Sequence, residues 1–525
     1  MARGRTMLMN TILLTATAFF MRTVGMAFQV YLSKKIGAAG IGLFQLIMSV
    51  SMLSTTFALS GIRFATTRLV SEELGRERTH GVKFAMRRCL IYALCFGTAA
   101  MFILWFGADF IGRRLIGDGR TVLSLRLLSL SLPAFSLSAV LAGYFTAVSR
   151  VIKSAAMQIA EQLIRIAIVV AALSVGASYS LERACAIIVI GGVIGEIASF
   201  LLLYALYLHD RRGYPAGSDG RGLTRRMLGI AVPLALSAYA RTALSTLQNL
   251  LVPRGFRKSG ASSDRALADY GIIQGMVFPV ITFPSAFFYS LAELLVPELT
   301  DAQVRGEPDV ISALVSRTLR LCLLFSIGVA AILFCFSGEL GIALYNNADV
   351  GRYIRILSLL MPIMYLDSVT DGMLRGLGQH MYSMKYNILD SLISVALVYF
   401  LLPRYAVMGY IFMICFTEVF NFALSIRRLC KITKIEFSLS RITKSVFCAV
   451  GAVNIAVFAL RITGLPLRPI GASAALHVAV SAIVYLALLS ALSCIDSRDS
   501  RWLRELIGLK CKISKNAFKS RKKKV

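Results

Sequence analysis

Ionisable side chains stand where a lipid-facing helix would have none. Arg22, Arg63, Glu161, Arg165, Glu196, Arg241, Glu293, Asp367, Asp371, Asp390 and Glu418 all lie inside long apolar runs. A charged side chain at the middle of a membrane costs about 2.5–3.5 kcal/mol on insertion scales, so such residues face a cavity or a partner. Arg22, Arg63 and Arg241 are the candidate substrate-binding residues. Guanidinium groups meet phosphate oxygens bidentately, and three facing one cavity would suit a phosphate or pyrophosphate. Each arginine also has a plainer reading: it pairs with an internal carboxylate, or its stem carries the charge to an interface.

The carboxylates divide into two groups. Glu161 and Arg165 are spaced i, i+4 on one helix and could satisfy each other. Together with Glu196 and Glu293 they are candidates for charges lining a cavity. Asp367 and Asp371 share that spacing with like charge, an arrangement that a bound proton or sodium ion relieves. With Asp390 and Glu418 they are the ion-coupling candidates, and hydrogen bonding between helices is the alternative. No catalytic site is expected. The phosphate-binding G-x-x-x-x-G-K-[ST] loop and the H-E-x-x-H zinc motif are absent, and His80, His209, His380 and His477 lack metal-ligand spacing. No metal or organic cofactor is expected, only a coupling ion, sodium or proton.

The elements that position these charges follow from hydropathy. The 525-residue chain is 57% hydrophobic and only 16% charged, against about 25% charged in a soluble domain. Its mean hydropathy is +0.72. Apolar windows mark fourteen segments: 7–33, 41–70, 84–108, 122–148, 154–175, 183–208, 224–252, 270–297, 312–336, 352–375, 384–402, 406–427, 442–462 and 469–494. Each is long enough to cross about 30 Å of hydrocarbon as a helix. The fold class is therefore all-α integral membrane. The first run continues past Arg22 without a cleavage site and reads as a retained span.

Most of the 57 Lys and Arg fall in alternate loops, which puts both termini in the cytoplasm by the positive-inside rule. The formal charge of +30 thus reads as topogenic, with membrane lipids rather than nucleic acid as its partner. The loop 253–269, with Arg254, Arg257, Lys258 and Arg265, is the external exception. Prolines 133, 233, 279, 284 and 362 sit within spans and mark bends or kinks. The ten cysteines suggest no disulfide framework.

The chain also repeats itself. Leu128-Ser129-Leu130-Ser131-Leu132-Pro133 matches Leu357-Ser358-Leu359-Leu360-Met361-Pro362 at an offset of 229. At that offset Gly42 and Gln45 meet Gly271 and Gln274, Gly143 meets Gly372, Ser154 meets Ser383, and Glu161 meets Asp390. Arg22-Thr23 matches Arg241-Thr242 at 219, and Glu196 finds a counterpart in Glu418. Two parallel six-helix lobes follow, 1–210 and 211–430, then an appended pair over 431–495 and a basic cytoplasmic tail over 496–525. Parallel repeats are related by an axis along the membrane normal, with substrate bound between them.

The segments Ala231-Val232-Pro233, Ala240-Arg241-Thr242, Asn249 to Pro253, Tyr270-Gly271, Gly275-Met276, Phe283-Pro284-Ser285 and Leu295-Val296-Pro297-Glu298 resemble the stage V sporulation protein B-like polysaccharide-biosynthesis family. Gly37 to Gly42 and Ser60-Gly61-Ile62 are similar to the same group, which belongs to the multidrug/oligosaccharidyl-lipid/polysaccharide exporter superfamily. The resemblance implies two six-span lobes around a central cavity, and two further helices that accommodate a lipid tail. It implies transport of a polyprenyl-(pyro)phosphate-linked saccharide across a bacterial plasma membrane, with cell-envelope synthesis proteins as candidate partners. Arg22 matches an arginine of the related lipid II flippase, whereas Phe28-Gln29 stand where that relative has Arg-Asp, and Arg63 sits away from its second-span arginine. Those departures favour a lipid-linked saccharide as a class over lipid II itself. The competing readings are a multidrug exporter of the same superfamily, a membrane-embedded glycosyltransferase, disfavoured for want of acidic catalytic motifs, and a non-transporting envelope-assembly scaffold.

Overall fold

The computed structural model describes residues 2–76, 79–175, 179–211, 222–433, 439–462, 470–492 and 494. The expected basic tail lies outside them. The described chain is helical nearly throughout, as its apolar runs require where no water can satisfy a bare backbone.

The first half holds α1 (Ala2–Leu59), α2 (Ile62–Gly75), α3 (Thr79–Asp109), a π-turn over Phe110–Ile116, a 3₁₀ turn over Gly119–Thr121, α4 (Val122–Ser129), α5 (Leu132–Ala147), α6 (Val151–Val175) and α7 (Leu181–Arg211). The second half holds α8 (Leu223–Lys258), α9 (Ser263–Tyr270), a π-turn over Gly271–Val277, α10 (Phe278–Thr282), α11 (Ala286–Arg305), α12 (Pro308–Tyr345), α13 (Ala348–Ser358), α14 (Met361–Gly376) and α15 (His380–Ile432). The appended pair is α16 (Leu439–Ile462) and α17 (Ile470–Ala491), packed on α12.

Two helices are far too long for one crossing. A 53-residue helix such as α15 would run about 80 Å at 1.5 Å per residue. It is broken at Ala406 (φ 47, ψ −128), and a Cβ on Gly409 would lie 3.0 Å from the carbonyl of Leu401, eight residues back. A continuous helix separates such residues by about 12 Å, so the chain doubles back there. In α1 the break falls at Gly37 (φ 69), whose left-handed backbone a residue without Cβ adopts freely. By length and apolarity alone, eight described helices could span a membrane, or eleven when each bent pair is one span. The elements, cut at Gly37 and Ala406, follow the expected segments, and the fourteen-span count stays an expectation.

Some boundaries differ. The expected external loop 253–269 is mostly helix: α8 runs to Lys258 and α9 starts at Ser263. The segment 270–297 is two helices bent by 61° around Phe283-Pro284-Ser285. Pro133 and Pro362 open α5 and α14, where a missing N–H costs nothing, after bends of 46° and 61°. Pro233 instead lies inside the unbroken α8.

The repeat is visible in the backbone. Helix α4 ends at Ser129 and α13 at Ser358; α5 runs over Leu132–Ala147 and α14 over Met361–Gly376, all at the same offset of 229. Asp118 and Asn347, also 229 apart, each accept a backbone N–H two residues on, from Arg120 and Asp349, at 2.9 Å. Gly143 packs against the Arg63 carbonyl and Gly372 against Ala292, the same distance along each half.

Candidate functional site

Most of the ionisable residues fall into three places. The first is the contact between halves. Arg22 on α1 is half-buried, and its Nη2 donates to the carbonyl of Thr282 at 2.8 Å, at the end of α10. At the bend the Ala286 N–H turns to the Phe283 carbonyl, which leaves that of Thr282 to side chains, and Ser285 Oγ donates to it as well at 2.7 Å. Among the described residues Arg22 has no carboxylate partner, so the internal ion pair does not form. Nearby, Phe19 packs on Phe283 at 5.8 Å, and Gln29 Nε2 donates to the Gly275 carbonyl at 3.1 Å.

A second place is a cavity of about 410 Å³ within the first half, between α1, α4, α5, α6 and α7. Glu161, Gln162, Arg165 and Glu196 line it with Phe28, Phe44 and Phe135. Glu161 and Arg165 do not form the expected ion pair. Arg165 instead donates to Gln162 one turn back, and its buried Nε has no partner. Carboxylates, amides and aromatic faces around one void are chemistry that hydroxyl-rich ligands match.

The third place lies in the second half. Asn421 Nδ2 donates to Asp367 Oδ2 at 3.0 Å; Ser383 Oγ donates to Asp371 Oδ1 at 2.9 Å, and Asn387 Nδ2 to Asp371 Oδ2 at 3.2 Å. Asp390 and Glu418 sit on the two limbs of α15 that carry these asparagines. Asp367 Oδ1, Asn421 Oδ1 and Asp390 Oδ1 are buried without a hydrogen-bond donor. Lone pairs left facing inward are what a proton or a hard cation satisfies. Among the described residues no three His, Cys, Asp or Glu side chains are grouped to hold a metal ion.

The three arginines are dispersed. Arg22 lies between the halves, Arg63 is exposed on α2, and Arg241 lines a cavity of about 150 Å³ beside Asp371 and Arg375. Of the three, only Arg241 lines one of the cavities described here. Arg63 lies in the first turn of α2, after Ser60 and Gly61 have turned left-handed, and its side chain is exposed there. The side chain of Glu293 lies outside the described residues.

Sequence reasoning passed over the amides. Asn387, Asn421 and Gln162 carry much of the polar network, and their presence in apolar spans was the available signal. It also passed over a set of ties at one end of the interface. Arg257 donates to the carbonyls of Gly117 and Ile116 at 3.2 and 3.3 Å, Arg254 to that of Arg114, and Arg120 bridges Asp118 and Asp264 at 2.7 and 2.8 Å. Arg254 and Arg257 of the supposed loop thus sit on the carbonyl end of a helical turn in the other half, where positive charge is favoured, whereas Lys258 lies over Tyr399 and Arg265 pairs with Asp269.

A family model described as polysaccharide biosynthesis protein matches residues 7–303, more than half the chain, and the MatE model matches 259–400. Stage V sporulation protein B of Bacillus subtilis (strain 168) is 23% identical over 406 residues, covering 76% of this chain and 78% of that protein. The lipid II flippase MurJ of the same organism is 21% identical over 422 residues, covering 74% and 76%. Among solved structures, lipid II flippase MurJ in an inward closed conformation superposes with a TM-score of 0.67 at 15% identity, over 92% of this chain and 98% of that one. An inward-facing MATE multidrug transporter gives 0.60 at 14% identity, over 79% and 96%. With the family model, the paired helical halves and these folds in agreement, the chain belongs to the polysaccharide biosynthesis protein family, a multi-pass membrane branch of the multidrug/oligosaccharidyl-lipid/polysaccharide exporter superfamily.

Proposed function

We propose that this transporter is an alternating-access flippase for a polyprenyl-(pyro)phosphate-linked saccharide in a bacterial plasma membrane. Its lobes are 1–210 and 211–430, its fourteen spans include an appended pair over 431–495, and both termini are cytoplasmic. The observation that carries the reading is Arg22. A guanidinium within the bundle, held by a single carbonyl of the opposite lobe, keeps its charge for an anionic headgroup. Its bond to Thr282 must also break when the lobes part, so substrate charge and lobe separation meet at one residue. An ionised headgroup cannot cross hydrocarbon unaided, because burying an unpaired charge is prohibitive. A polar path between lobes, open sideways to lipid, removes that cost while the polyprenyl tail stays in the membrane.

The carboxylates of the second lobe fit an ion-coupling role. The orphaned oxygens of Asp367, Asn421 and Asp390 offer ligands to sodium or a proton. Drug export is the second reading, supported by the carboxylates and aromatic rings of the first-lobe cavity and by the MatE match. The deciding experiment offers purified protein in liposomes a labelled polyprenyl-pyrophosphate sugar beside a cationic dye. Protein-dependent movement of the sugar, lost in Arg22→Ala, supports the flippase. Movement of the dye alone overturns it in favour of drug export.

A further inference from the structure

We propose that a groove between α3 and α7, where α3 begins and α7 ends, is a binding site for an anionic phospholipid of the surrounding membrane. Its basic rim takes the headgroup phosphate, and its apolar wall takes the first part of the acyl chains. The groove shares no lining residue with the cavities described above and stands whatever the transported substrate.

The cavity measures about 640 Å³, within the range of about 300–1,000 Å³ usual for small-molecule sites. Helices α3 and α7 both pack on α5, and the cavity runs between them. Lys83 and Arg87 come from the first turns of α3, and Arg211 closes α7. Leu90 and Ile91 lie one turn further into α3, and Tyr204 two turns before Arg211. Charge therefore gives way to apolar surface over about 10–12 Å along the helices. A phospholipid makes the same passage, from phosphate to hydrocarbon, at a bilayer interface. The floor is firm: Tyr207 is buried, with its ring edge-on to Tyr144 of α5 at 5.1 Å.

No carboxylate lines the groove. Asp210, beside Arg211, is taken by Arg150 and Lys153 at 2.7 and 3.0 Å, and Glu73 lies 3.5 Å from Arg226. Neither Arg87 nor Arg211 has an ion pair or a side-chain hydrogen bond among the described residues. Both are exposed, and a guanidinium fork fits the oxygens of a phosphodiester.

The repeat supplies an independent observation. At the offset of 229, Lys83 and Arg87 meet Ser312 and Ser316 on α12, so these charges belong to the first half alone. Helix α12 is covered by α16 and α17, whereas no such pair packs on α3 among the described residues. Ile91, Leu94, Phe102 and Phe106 continue the face of Arg87 at helical spacing, and all are exposed. Such a stripe meets lipid in a membrane, and the cations at its end select lipid of negative charge. With the termini placed as above, the rim lies in the cytoplasmic leaflet, whose anionic lipids attract basic residues.

The test is native mass spectrometry of the full chain in detergent with phosphatidylglycerol, phosphatidylcholine or inorganic phosphate added, with thermal unfolding read on the same samples. Phosphatidylglycerol should be retained and should raise the melting temperature, and the other two should do neither. Arg87→Gln and Arg211→Gln should each weaken retention about fivefold, the effect of one basic residue at an anionic surface, and the two should compound. Arg88→Gln, exposed beside the groove but not lining it, should leave retention unchanged. Melting without added lipid separates loss of the site from loss of the fold. Equal retention of phosphatidylcholine, or undiminished phosphatidylglycerol in the double variant, overturns the site. Stabilisation by inorganic phosphate to the same extent makes it a free-anion site and overturns the lipid assignment.

Discussion

Gly42 and Gly271, repeat equivalents 229 residues apart, lie back to back. A Cβ on Gly271 would stand 2.5 Å from the Gly42 nitrogen and 2.2 Å from the Ala38 carbonyl, and one on Gly42 would stand 1.9 Å from the Leu267 carbonyl. Two equivalent residues can touch only where the axis relating the halves passes between them. The glycines therefore mark that axis, and the backbones meet there because no side chain intervenes.

Gly271→Val should strongly disfavour this close approach of the halves. Overpacking of this kind costs about 1–3 kcal/mol when neighbours can shift, and here the obstacle is backbone. Thermal unfolding in detergent should fall, and crosslinks between α1 and α9 should weaken. Wild-type melting and crosslinking would mean that the close approach is not part of the populated state.

Arg22→Ala should reduce movement of the lipid-linked saccharide by about tenfold or more, since a hydrogen bond to a charged group contributes about 1.5–3 kcal/mol. Arg22→Lys should retain part of the activity, because the charge survives while the planar fork is lost. The liposome assay reads both. Equal loss in the two variants would point to geometry rather than charge.

The ties from Arg120, Arg254 and Arg257 should act together. Each is weak alone: an exposed ion pair contributes about 0–1 kcal/mol, and a cation at a helix carbonyl end about 0.3–1 kcal/mol. In a cysteine-free background, Leu267→Cys reports on this contact, because Leu267 is buried where the halves meet. Replacing all three arginines by Ala should speed its labelling by a membrane-impermeant thiol reagent several-fold, with small effects from single changes. Unchanged labelling in the triple variant would remove their role in holding the halves.

The appended pair is docked by Tyr485, whose hydroxyl donates to the Leu324 carbonyl at 2.7 Å and whose ring covers Gly328. A Cβ on Gly328 would lie 2.2 Å from that ring, so Gly328→Leu should push α17 off α12. Limited proteolysis after α15 should accelerate while the two halves remain associated. His477 Nδ1 at 3.2 Å from Glu339, stacked on Phe336, is a second point of attachment. Its replacement by Ala should add to the effect.

Hydropathy and spacing alone determined the class of this protein. Apolar runs in a chain with too little charge to cover a soluble surface force helices that satisfy their own backbone, and the offset of 229 forces two like halves. Both follow from local chemistry, which a linear string preserves. It even locates the bends before Pro133 and Pro362, because a proline acts on its own backbone. Side-chain partners were another matter. Glu161 and Arg165 have the spacing of a pair, yet Arg165 turns to Gln162; Asp367 and Asp371 have the spacing of a repulsion, yet each is met by an asparagine or serine from α15. Arg22, Arg63 and Arg241 look alike in sequence and end in three different places. Spacing says which face of a helix a residue occupies, whereas only the packing of helices against one another decides what that face meets. The basic residues at 254 and 257, anomalous as an external loop, became intelligible only when the fold laid them on the carbonyl end of a turn in the opposite half.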